Sequence, residues 1–159
     1  KESATAGFTY IRSRAAALNL DADFHEQQDF HIHYPGNALK TDGPSAGIAM
    51  ATALVSALTG IPVRADTAMT GEITLRGRVT PIGGLKEKCL AAHRLGINTV
   101  VVPRENKKDL REVPPKVRRA LRIVLVDYVD EVLREALVLE KPAEFARLPT
   151  EGGAAPAAM

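Results

Sequence analysis

The chain has no tryptophan, and only 4% of its 159 residues are aromatic. A core must therefore be built from aliphatic side chains, and a stacking platform for nucleic-acid bases is poorly supplied. Its single cysteine, Cys89, excludes an internal disulfide. Long apolar runs are also missing. The apolar run with hardly a charge, Ala46 to Thr59 (AGIAMATALVSALT), is too short to span a bilayer, and nothing resembles a secretory signal. No GxxxxGK[ST] sequence occurs, so the chain offers no P-loop for ATP. Charge of one sign is scarce too, with a net value of +2. What these absences leave is one aliphatic domain, 45% hydrophobic and large enough to bury a core, expected in a reducing compartment, the cytoplasm.

What is present alternates between helical and strand periods. Ser3 to Leu20 carries apolar residues at helical spacing (Phe8, Ile11, Ala15, Leu18). Phe30 to Tyr34 alternates like a strand, with Phe30, Ile32 and Tyr34 on one face and His31 and His33 on the other. No cysteine or carboxylate cluster accompanies these histidines, so no metal is expected. A helix from Ser45 follows, then a hairpin across Ala68 to Pro81 with its turn near Arg76-Gly77-Arg78, whose edge is suited to pairing with an extended peptide. Leu85 to Leu95 is a helix, Thr99 to Pro103 a buried strand, Glu105 to Arg111 and Pro114 to Ala120 short helices, Arg122 to Val126 a strand, and Val129 to Leu139 a closing helix. This order predicts an α+β fold, a mixed sheet covered by helices. Residues 1–139 form the domain; 140–159, rich in Pro, Gly and Ala without periodicity, are expected to be a disordered tail.

Ser45 stands at the start of the apolar run, after Gly43-Pro44 and before Ala46-Gly47. Its neighbours are too small to cover a hydroxyl, and the free amides of a helix N-terminus can stabilise an oxyanion, so the serine is placed like a nucleophile. Ser45 or Asp42 can equally serve as an N-cap. A base is the missing partner. Wound at about 100° per residue, LKEKCLAAHRL puts Lys88 on one stripe with Leu85, Ala91, Ala92 and Leu95, whereas Lys86 falls towards Glu87 and Arg94. An apolar surrounding disfavours an ammonium relative to the neutral amine, which can take a proton from a hydroxyl. Lys88 is therefore the candidate base, with a snorkelling lysine as the alternative. Cys89 shares the stripe and reads as a small core residue.

Four segments carry a resemblance to a known family: Asp42-Gly43-Pro44-Ser45-Ala46-Gly47; Thr70-Gly71-Glu72-Ile73 with Leu75-Arg76-Gly77; Pro81-Ile82-Gly83-Gly84-Leu85-Lys86-Glu87-Lys88; and Ala91-Ala92-His93-Arg94. Together they resemble the proteolytic domain of the ATP-dependent Lon proteases, from Lys1 to about Leu139. The resemblance implies the ribosomal-protein-S5-domain-2-like arrangement and a serine-lysine endopeptidase with Ser45 as nucleophile and Lys88 as base. It also implies that Thr70 contacts the lysine, that unfolded or damaged proteins are the substrates, and that the subunits form a hexameric ring. ATP and Mg would be used by an ATPase part upstream, which this chain lacks, and the opening at Lys1-Glu2-Ser3-Ala4 resembles the interior of the domain, implying an N-terminal truncation. One departure is local: the family usually reads P-E-G-A-x-P-K-D-G before the serine, and here Pro35 to Gly43 read PGNALKTDG. Asp42 is close enough in sequence to pair with the lysine and hold it charged, a possible inactive arrangement.

A rival reading comes from the basic residues Arg104, Lys107, Lys108, Arg111, Lys116, Arg118, Arg119 and Arg122, which suit a noncatalytic nucleic-acid-binding module. Glu105, Asp109 and Glu112 alternate with them and no aromatics intervene, which fits a solvated or intersubunit face better. A self-cleaving serine-lysine regulator is a further alternative, but no cleavage site of its own stands out in the sequence.

Overall fold

Thr99–Pro103 is buried at every one of its five positions, as a β-branched run becomes when both faces of a sheet are covered. The structure, a computed structural model, describes residues 2–27, 29–32 and 45–145. Its helices are α1 (Glu2–Ser13), α2 (Phe24–Gln27), α3 (Gly47–Thr59), α4 (Leu85–Arg94), α5 (Pro115–Ala120) and α6 (Val129–Ala136). The strands are β1 (Thr67–Met69), β2 (Glu72–Ile73), β3 (Val79–Thr80), β4 (Thr99–Pro103) and β5 (Arg122–Val126), with 3-10 turns at Ala16–Leu18, Arg104–Glu112 and Pro142–Glu144.

β4 lies between β1 and β5 and pairs in parallel with both, Thr67 opposite Thr99 and Val100 opposite Ile123. Parallel neighbours need long crossovers. From β4 to β5 the crossover is the 3-10 turn and α5; from β1 to β4 it contains the β2–β3 hairpin and α4. The period of two along β4 sends Val101 to one core, with residues of α1, α3 and α6, and Val100 and Val102 to another, with Leu85, Cys89 and Ala92 of α4 and Val113 and Val117. The fold is thus α+β, a parallel sheet flanked by helices on both faces, with a separate antiparallel two-stranded sheet beside it.

Several expected elements shift, each for a local reason. The first helix stops at Ser13, and Asn19 in left-handed conformation (φ 57°) ends the 3-10 turn that follows. The hairpin begins at Glu72 rather than Ala68, because β1 is taken by β4, and Thr70 N–H extends that pairing to Val101 O at 3.0 Å. The closing helix ends at Ala136, since Leu137 bridges to Val63 and Val138 N–H donates to Pro62 O at 2.9 Å. Residues 30–32 carry no strand pairing among the described residues, and His33 and Tyr34 lie outside them. Of the expected tail, Pro142–Glu144 makes a 3-10 turn and Phe145 O accepts from Arg134 Nε at 2.8 Å, while residues 146–159 lie outside the described residues.

A buried polar network joins the first helix to the last. Asp130 is fully buried, accepts from the Tyr10 hydroxyl, and pairs with Arg14 Nη2 at 2.9 Å. Burial pushes the Asp130 carboxyl up, against the Tyr10 hydrogen bond and the Arg14 and Arg134 charges, and burial beside that carboxylate pushes the Tyr10 phenol above its ordinary range. Gly77, which closes the hairpin turn, lies against the Tyr10 ring. Its φ is +77° and a Cβ there would stand 2.0 Å from Tyr10 Cε2. Gly77→Ala combines a left-handed backbone, about 1 kcal/mol, with overpacking, about 1–3 kcal/mol, and is expected to destabilise the fold by roughly 2–4 kcal/mol in denaturant titrations. A change within about 0.5 kcal/mol of wild type, the range of a neutral surface substitution, contradicts this reading.

Candidate active site

Ser45 occupies the turn that leads into α3 and is half-buried. It does not cap the helix: the N-cap is Ala46, and no side chain caps it. Its backbone is nevertheless held firmly, because Ser45 O accepts from Gly71 N at 2.9 Å and from Thr70 Oγ1 at 3.3 Å, while Ile48 N–H donates to Gly71 O at 3.2 Å. This close approach requires a glycine at position 47, where a Cβ would meet Ile73 Cγ2 at 2.9 Å and Ile73 N at 3.1 Å. The Thr70–Ile73 segment therefore fixes the serine through its main chain, and among the described residues nothing hydrogen-bonds its hydroxyl. Thr70 itself is buried, and with its proton given to Ser45 O its oxygen retains lone pairs that can accept from an amine.

The helix after Ser45 is less enclosed than its composition suggests. Ile48, Ala51, Leu54 and Val55 face the core, but Ala53 and Ala57 are exposed. With Ala49, Met50 and residues 29–32 they line an open groove of about 510 Å³.

α4 is reached through Pro81–Gly84 from the open end of the same hairpin, where Thr80 pairs with Glu72. Its buried face is Leu85, Cys89 and Ala92, all on the stripe expected from the sequence, whereas Ala91 and Leu95 of that stripe are not buried. Leu95, the C-cap residue, swings out to 79% exposure, and Ala91 is exposed. Lys88 consequently sits at the margin of the apolar face, half-buried, and Lys86 is exposed. Cys89 is fully buried, and burial pushes its thiol up, so it stays protonated and is no nucleophile.

Ser45 and Thr70 are thus brought into contact, and the segment that leads to Lys88 departs from the same open end of the hairpin, where Glu72 pairs with Thr80. Among the described residues no hydrogen bond joins the Ser45 hydroxyl to the Lys88 amine. Asp42 lies outside the described residues. Among them, no three His, Cys, Asp or Glu side chains gather as a metal site, and no helix is long and apolar enough to cross a membrane. In the basic segment, Arg104 pairs with Asp127, Arg122 with Glu135 and Arg78 with Glu105, whereas Lys107, Lys108, Arg111, Lys116, Arg118 and Arg119 are exposed.

One buried polar residue beside α4 escapes sequence reasoning. Asn106 is 1% exposed, and its carboxamide bonds both backbone groups of Ile82. Within the hydrophilic run RENKKDLRE nothing distinguishes it from its solvated neighbours.

A family model described as the Lon protease (S16) C-terminal proteolytic domain matches residues 1–139. The chain belongs to that family. It is 61% identical over 153 residues to Lon protease 1 of Myxococcus xanthus, covering 96% of this chain and 19% of that protein. It is 62% identical over 137 residues to the Lon protease of Brevibacillus choshinensis, covering 86% of this chain and 18% of the other. Lon protease 1 of Bacillus subtilis (strain 168) is 57% identical over 141 residues, covering 89% and 18% respectively. The chain therefore spans about a fifth of the length of these curated relatives, the part that carries peptidase chemistry. Membership makes it a serine-peptidase domain of the Lon type, with the parallel sheet and flanking helices of an α+β proteolytic domain.

Proposed function

We propose that Ser45 and Lys88 are the catalytic dyad of this Lon domain and that it hydrolyses peptide bonds in unfolded or damaged proteins. The observation that supports this reading is the double grip on Ser45 O by Gly71 and Thr70, which fixes the serine main chain without using its hydroxyl. The Lys88 amine takes the Ser45 proton, and the alkoxide attacks a substrate carbonyl. The resulting ammonium protonates the departing amine, and water activated by the same lysine hydrolyses the acyl-enzyme. Thr70 Oγ1 accepts from the lysine and steadies it. Ile48 N–H is already committed to Gly71 O, so the oxyanion donors are amides that precede it. Asp42 would act as a regulator by pairing with Lys88 and keeping it charged.

In this reading residues 1–139 are the peptidase unit and 140–159 a tail. ATP and Mg serve an ATPase part outside these residues, and the working assembly is a hexameric ring in the cytoplasm enclosing its active sites. Cleavage of an unstructured polypeptide tests the activity, and its absence in the full chain counts against the dyad.

The exposed bases and interspersed acids of Arg104 to Arg122 suit pairing with a neighbouring copy. Sedimentation analysis is expected to show monomers in equilibrium with larger species, shifted towards monomer by salt. A strictly monomeric species at every concentration removes the assembly role. Tight, salt-sensitive retention of duplex DNA by the segment favours the nucleic-acid alternative.

A further inference from the structure

Burying a carboxamide costs roughly 1–3 kcal/mol unless its hydrogen-bonding groups find partners. Asn106 finds one for each. Its Oδ1 accepts from Ile82 N–H at 3.0 Å, and its Nδ2 donates to Ile82 O at 2.8 Å and to Asp109 Oδ2 at 2.6 Å. The two bonds to Ile82 imitate a strand pairing, and the Asp109 carboxylate, an acceptor only, fixes which end of the amide carries the nitrogen.

We infer that Asn106 is a positioning residue for Lys88, an inference that rests on the reading of Lys88 as the base. The linkage is short and wholly main chain. Ile82 leads through Gly83 to Gly84, the N-cap of α4, whose φ is +69° and whose carbonyl accepts the Lys88 amide at 3.1 Å. No side chain caps this helix end, and an uncapped first turn is where a helix opens most readily. Lys88 stands at the close of that first turn. Asn106 replaces a cap by pinning the turn before the helix, and so sets the height and phase at which the lysine leaves α4. Sub-ångström placement matters here, because a shift of about 1 Å at a reacting group can cost about 10²-fold in rate.

The test is steady-state cleavage of an unstructured peptide by the full chain, with kcat and KM measured for wild type, Lys88→Ala, Asn106→Ala, Asn106→Asp and the exchange Asn106→Asp/Asp109→Asn. Asn106→Ala is expected to lower kcat about 10- to 100-fold and to leave KM within about twofold, the split that marks a residue acting on the base rather than on the bound peptide. Asn106→Asp keeps the acceptor for Ile82 N–H but loses the donor to Ile82 O and sets two carboxylates against each other; the exchange variant restores only the donor between positions 106 and 109, so it is expected to recover several-fold in kcat over Asn106→Asp while staying below wild type. Rescue of this kind also covers the case in which Asn106→Ala fails to fold. Wild-type kcat in Asn106→Ala, with or without lost thermal stability, beside a dead Lys88→Ala overturns the positioning role and leaves the dyad standing. Wild-type kcat in Lys88→Ala overturns the dyad itself.

Discussion

Replacing Ser45 with alanine is expected to abolish peptide hydrolysis while leaving the fold intact. Loss of a nucleophile costs on the order of 10⁴–10⁶ in kcat when base and oxyanion donors remain. Stability should hardly change, because the structural contacts of residue 45 run through its carbonyl, which accepts from Gly71 N and Thr70 Oγ1, and alanine keeps that carbonyl. The serine side chain caps no helix, so the usual cost of about 1 kcal/mol for a lost cap does not apply. Near-native turnover by Ser45→Ala, measured against an unstructured polypeptide with thermal unfolding as the control for folding, removes Ser45 from the mechanism.

The second large effect separates two lysines a helical half-turn apart. Lys88→Ala is expected to silence the enzyme and Lys86→Ala to keep activity within about threefold, since Lys88 lies at the edge of the apolar face of α4 and Lys86 is exposed. Lys88→Arg should be as inactive as the alanine variant, because a guanidinium stays charged and takes no proton. An inactive Lys86→Ala beside an active Lys88→Ala reassigns the base.

Much of the fold is legible because it follows local patterns. The TVVVP and RIVLV runs are β4 and β5 at their expected bounds, and Pro at the first turn marks α5. What escaped the sequence depends on partners distant along the chain. Met69 ends a parallel strand rather than opening a hairpin because β4, some thirty residues later, claims it. The stripe of α4 departs from the expected one at its last turn, where Leu95 leaves the helical face as the C-cap residue; wheel geometry applies only while the helix continues. Asp130, in an exposed-looking VDEV, is buried because Tyr10 and Arg14 reach it from the other end of the chain. At the site, the motif residues Ser45, Thr70 and Lys88 stand out in the sequence, but the support beneath them does not. Neither the two bonds to Ser45 O nor the Asn106 grip on Ile82 has a periodicity to betray it.

Mass-spectrometric mapping of the acyl-enzyme formed with an activated peptide ester tests the dyad most directly. The expected result is one acyl group on the peptide carrying Ser45, formed rapidly by wild type and Lys86→Ala and lost to background in Lys88→Ala. Acylation of another residue, or of Ser45 at wild-type rate without Lys88, contradicts it.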